Sequence, residues 1–136
     1  VLDSIEEHGL ETCFRVTSYV PHARALELQQ KAQVLLLLEI DARETTGIIP
    51  GKLFEYMAAS RPVLAIGPDG WEAGELVEET ECGAAFGYRD EEGIRETLLD
   101  WYRKYREGVL EVKGKGIKAY HRKALTQRLV KEILWV

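Results

Sequence analysis

Hydrophobic and polar positions alternate in two rhythms along this chain. Residues 34–38 (Val-Leu-Leu-Leu-Leu) form a short, unbroken apolar run between polar segments. Such a run predicts a strand of a parallel sheet buried on both faces. Residues 62–66 (Pro-Val-Leu-Ala-Ile) repeat the pattern, with proline at the first strand position, where its missing N–H is tolerated. Cys13, Phe14, Val16 and Tyr19 predict an earlier strand ended by Pro21, and residues 83–87 a short, edge-like late one. Between them lie helical patterns: residues 1–8 closed by Gly9, 23–31, 50–59 opened by Pro50, 73–79, and 90–106 capped by Asp90. The last of these carries Ile94, Leu98, Trp101, Tyr102 and Tyr105 as its predicted inward stripe. Arg61 is expected to cap the end of the helix before it, and residues 117–134 form a terminal helix.

Four strand–helix alternations with short connections predict an α/β fold, a Rossmann-like parallel sheet flanked by helices with right-handed crossovers. The whole of residues 1–136 reads as one domain, with the terminal helix outside the alternation. The chain opens on a helix where this architecture opens on a strand, so the expectation is a domain truncated at its amino end. Ligands of such sheets bind beyond the carboxyl ends of the strands. Here those ends are residues 18–21, 39–49, 67–70 and 87–89.

Composition narrows the chemistry. The net charge of −5 is uneven: residues 1–88 hold 15 acidic and 6 basic side chains, residues 89–136 hold 8 and 12. An acidic body argues against general nucleic-acid binding, which needs a positive footprint. Cys13 and Cys82 both lie in strand-like contexts and read as reduced core residues. His8, His22 and His121 are scattered, and no ligand spacing predicts a metal site. No apolar run approaches a membrane span.

The candidate chemistry sits at the start of the 50–59 helix. Open backbone N–H groups and the helix dipole favour an anion such as phosphate there. Gly51 allows close approach, and Lys52 adds a positive charge. Glu55 lies early in a largely apolar helix, and its carboxylate is a bidentate acceptor suited to two ribose hydroxyls. In the preceding loop, Arg43 faces a second phosphate, Glu44, Thr45 and Thr46 offer groups for sugar hydroxyls, and Gly47 offers a backbone N–H. Tyr19 and Val20 supply a wall for a base, and His22 reads as a surface residue. The bland alternative for each is a solvated loop or helix start. No nucleophile elbow, phosphate-loop lysine or dinucleotide fingerprint is present.

The sequence Pro50-Gly51-Lys52-Leu53-Phe54-Glu55-Tyr56-Met57-Ala58-Ala59-Ser60-Arg61-Pro62-Val63 resembles the donor-binding domain of two-Rossmann-domain (GT-B type) glycosyltransferases. It resembles the large retaining family 4, or group 1, with Ser60 where glycine is commoner. Residues 14–22 resemble that family's preceding strand and loop, with Ser18 replacing a usual glycine. Residues 83–86 resemble its late strand, and residues 120–134 its terminal helix, which packs toward the partner domain. The resemblance implies that Glu55 binds the ribose of a nucleoside diphosphate sugar, UDP-linked by preference, with Lys52 and Gly51 near the diphosphate or sugar. A second, sugar-binding glutamate of the family falls at Gly47, a departure that suits its lysine-bearing subgroup. No metal or cofactor is implied.

The implied partners are an amino-terminal acceptor domain of the same enzyme and a glycan or lipid-linked acceptor. The implied setting is bacterial polysaccharide biosynthesis in the cytoplasm, with peripheral contact at the inner membrane face. The isolated chain is then expected to be inactive. Two other readings stand beside this one: a sugar-nucleotide epimerase domain, and a non-enzymatic α/β interaction module, for which Asp41 at a strand end lacks the needed acidic cluster.

Overall fold

A computed structural model describes residues 2–133. Its centre is a three-stranded parallel sheet in the order β1 (Leu35–Leu38), β2 (Val63–Gly67), β3 (Gly83–Gly87). Leu35 pairs with Val63 and Val63 with Gly83, so Leu35, Val63 and Gly83 share one face, as do Leu37, Ala65 and Ala85. Onto that face pack α3 (Lys52–Ala59) through Leu53 and Met57, and α4 (Glu72–Glu79) through Ala73, Leu76 and Val77. Trp71, directly before α4, is buried among them and donates its indole N–H to the Ile48 carbonyl at 2.7 Å. The close approach of β3 to β2 requires glycine at 83: a Cβ there would stand 1.9 Å from the Val63 carbonyl oxygen.

The opposite face is thinner. α5 (Glu91–Arg106) lies against β3, but none of its residues is buried. Leu98, Tyr102 and Tyr105 are exposed, and only Ile94 and Trp101 of the predicted stripe are half-buried. Leu36 and Leu38 are about half exposed, which corrects the reading of β1 as covered on both faces. The predicted strand at residues 13–19 is also absent. Residues 14–21 take no regular structure, and Cys13, Phe14, Val16 and Tyr19 are all exposed, Tyr19 at 94%. Strand-forming side chains do not hold an extended segment without a ladder partner, and the outer edge of β1 is unpaired among the described residues. The alternation therefore runs three times, not four.

Several local signals act as read. α1 (Leu2–Glu7) ends with Gly9 in the left-handed region at φ 62°. Gly9 N–H bonds Glu6 O and Leu10 N–H bonds Ile5 O, the paired closure that satisfies the last carbonyls of a helix. The Asp90 carboxylate accepts from Gly93 N–H at 3.0 Å at the start of α5. Ser60, which ends α3, is held at φ 54°, a conformation that glycine takes without strain. Arg61 differs from its reading: its guanidinium donates to Gln30 O at 2.9 Å and so serves the end of α2 (His22–Lys31), not of α3. The terminal helix is broken into a tight turn, Ile117–Tyr120, and α6 (Arg122–Ile133), with extended His121 between them. Val1 and Leu134, assigned to helices from sequence, lie outside the described residues. Among the described residues no helix is long and apolar enough to cross a membrane.

Candidate functional site

α2 packs against α3, and this contact shapes the site. Together with the segment from Tyr120 to Leu125 they enclose a cavity of about 570 Å³, a volume typical of small-molecule sites. Its polar lining is His22, Gln29, Gln30, Glu55, Tyr120 and Arg122, and Gly51 and Phe54 form part of its wall. Glu55 lies in the first turn of α3. His22 Nε2 is 2.9 Å from its Oε1, and the Gln29 amide N–H donates to its Oε2 at 3.2 Å. Both carboxylate oxygens are thus engaged from α2.

The electrostatics follow from this geometry. The hydrogen bond from His22, then that from Gln29, holds the Glu55 carboxyl below the usual carboxylate range, against a smaller opposing effect of burial. Gln29 meets a cost for its part. Its Oε1 is buried and has no hydrogen-bond partner among the described residues. Turning the amide over would aim that oxygen at the carboxylate, so the orphaned acceptor is the consequence of serving Glu55. A buried acceptor without a donor costs about 1–3 kcal/mol. The phenol of Tyr56 is pushed up, first by burial and then by the Glu55 charge.

The residues singled out from sequence are partly brought together. Glu55 and Gly51 line one cavity, and Lys52 is exposed three residues before Glu55, on the same side of the helix start. That start has no side-chain cap, but it is tighter than an open helix end. Leu53 N–H already bonds Pro50 O at 2.9 Å, and Phe54 N–H bonds Gly51 O at 3.2 Å. Val20 is half-buried two residues before His22, whereas Tyr19 is turned to solvent and forms no wall.

Thr46 and Gly47 do not reach this cavity. Thr46 lines a second one, of about 830 Å³, at the carboxyl ends of the strands with Asp41, Asp69, Tyr88, Arg89 and Asp90; Gly47 is exposed. The loop carrying them is pinned to the core. Thr46 O accepts from Glu72 N–H at 2.9 Å, Ile48 O from the Trp71 indole, and Glu39 O from the Tyr88 hydroxyl at 2.7 Å. Its middle is a tight turn, Arg43–Thr45, in which the Thr45 hydroxyl donates to Ala42 O at 2.8 Å. The Arg43 side chain lies outside the described part of the structure.

Three contributors to the site are not legible in the sequence: His22, Gln29 and Arg122. Each comes from a segment distant from α3, and no local spacing marks them. Among the described residues no group of three or more His, Cys, Asp or Glu is placed to hold a metal ion. Comparison with protein-family models, with curated proteins and with solved structures gave no match. The fold and site therefore define a small α/β domain with a three-stranded parallel sheet flanked by helices, arranged in a Rossmann-like way.

Proposed function

We propose that this chain is the donor-binding domain of a glycosyltransferase of the two-Rossmann-domain type, and that Glu55 accepts hydrogen bonds from both ribose hydroxyls of a nucleoside diphosphate sugar. The observation that carries this reading is the Glu55 carboxylate: ionised, half-exposed at the wall of a cavity of about 570 Å³, and engaged by polar side chains at both of its oxygens. A vicinal diol offers the same donor pair. Arg122 lines one wall, and Lys52, exposed at the start of α3 outside the lining, adds with the helix dipole to the positive charge that a diphosphate needs.

In the reaction, the bond between the sugar's anomeric carbon and the diphosphate breaks, and an acceptor hydroxyl oxygen takes its place on that carbon. The acceptor proton leaves, and the nucleoside diphosphate departs with the negative charge. Fixed positive groups at the diphosphate stabilise that charge as it develops. The site that holds the acceptor and the group that takes its proton are assigned to an amino-terminal domain of the same enzyme. A UDP-linked donor, a glycan or lipid-linked acceptor, and a cytoplasmic enzyme touching the inner membrane face complete the reading.

The test is calorimetric titration of the 136-residue chain with UDP, GDP and ADP. UDP is expected to bind most tightly. Glu55→Ala should weaken it about tenfold to a hundredfold, the effect of losing hydrogen bonds to a charged group, with the circular dichroism spectrum unchanged. Equal affinity in the variant removes Glu55 from the site. Sugar transfer by the chain alone is not expected, and measured transfer would overturn the assignment of the remaining machinery to a second domain.

A further inference from the structure

The Glu55 carboxylate is not presented bare. His22 stands on Oε1 and Gln29 on Oε2, and the two differ in their freedom. Gln29 is half-buried in the last turn of α2, its amide fixed in one orientation by the carboxylate it serves. The His22 side chain is 69% exposed at the first residue of α2, where it can rotate into water without disturbing packed neighbours. A ligand with two adjacent hydroxyls needs access to both oxygens. Gln29 is held by its surroundings, so the partner free to give way is the exposed imidazole on Oε1.

We propose that His22 is a positioning residue and a displaceable latch for the diol site. It holds Glu55 in place while the site is empty and yields Oε1 to the ribose when the ligand arrives. The inference rests on the nucleotide reading above and adds its regulation. The groups facing this pair are Gln29 and Gln30 from α2, Glu55 from α3, Tyr120 from the tight turn and Arg122 from the start of α6. The imidazole meets the carboxylate in one exposed contact of 2.9 Å, and breaking it opposes diol binding. Removing the ring should therefore strengthen the preference for a ligand with two adjacent hydroxyls.

The experiment compares UDP with its 2′,3′-dideoxy analogue on the wild-type chain, His22→Ala and His22→Gln at one pH. Taking the ratio of the two affinities isolates what the two hydroxyls contribute. In His22→Ala the preference for UDP should exceed that of the wild type about twofold to fivefold, the size of an exposed pair, whereas His22→Gln, which can still hold Oε1, should stay near the wild type. A preference in His22→Ala equal to or below that of the wild type overturns the latch alone. Absence of UDP binding in all three proteins overturns the latch together with the nucleotide reading.

Discussion

One sheet presents two unlike faces. Beneath α3 and α4, Leu37 is 0% exposed and sits with Val63, Ala65, Trp71 and Val77 in a continuous core. One residue earlier on the same strand, Leu36 is 49% exposed and Leu38 is similar. Four consecutive leucines are chemically identical, so what divides them is the layer that the rest of the chain supplies. Two helices close one face; on the other, α5 covers β3 lightly and leaves β1 open. The candidate site belongs to the closed side's outer margin, where α2 leans on α3.

The most direct way to break this comparison is to truncate both neighbours. Leu37→Ala should cost about 2–5 kcal/mol, as buried leucines do when a cavity remains, whereas Leu36→Ala should stay within about 0.5 kcal/mol. Urea unfolding of the two variants measures both, and equal losses would mean that the second face is covered in solution. Gly83→Ala probes the closed side where backbones meet. The added methyl strikes the Val63 carbonyl, which cannot swing aside like a side chain, so a loss of about 3 kcal/mol is expected in the same assay.

The smallest effect belongs to Glu55, at the margin. Its folded pKa is depressed, so its stabilising contribution is present above the ordinary carboxylate value of about 4.3. That contribution is lost as pH falls through the lower, folded value. With the side chain 36% exposed, solvent screening limits it to a fraction of a kcal/mol. Glu55→Gln should therefore differ slightly in stability from the wild type at pH 6, and the difference should vanish once the pH lies below the depressed folded value.

The legible parts of this molecule are those decided within a few residues. Asp90 announces α5 because its partner, Gly93, is three positions away, and Gly9 ends α1 through carbonyls of the preceding turn. β3 was readable in full from residues 83–87. Distant partners were not readable. The segment at residues 13–19 has strand-forming side chains but no ladder, a fact settled by the far edge of β1. Arg61 reaches back 31 positions to Gln30, and His22 reaches forward 33 to Glu55. Glu55 itself was found from its place in the helix. The histidine and glutamine that hold it were not, because the docking of α2 on α3 has no signature in either helix alone.

The bond from the Trp71 indole to Ile48 has a kinetic consequence. Together with the Glu72 N–H on Thr46 O, it hangs the middle of the long loop after β1 from the start of α4, inside the tightest part of the core. Swinging that loop away breaks the bond to a buried indole and leaves its N–H without an acceptor, so its opening belongs with the deeper cooperative motions rather than with surface fraying. In amide hydrogen exchange the Glu72 N–H should accordingly be slow, behaving like an interior position although the rest of its residue is bathed in solvent.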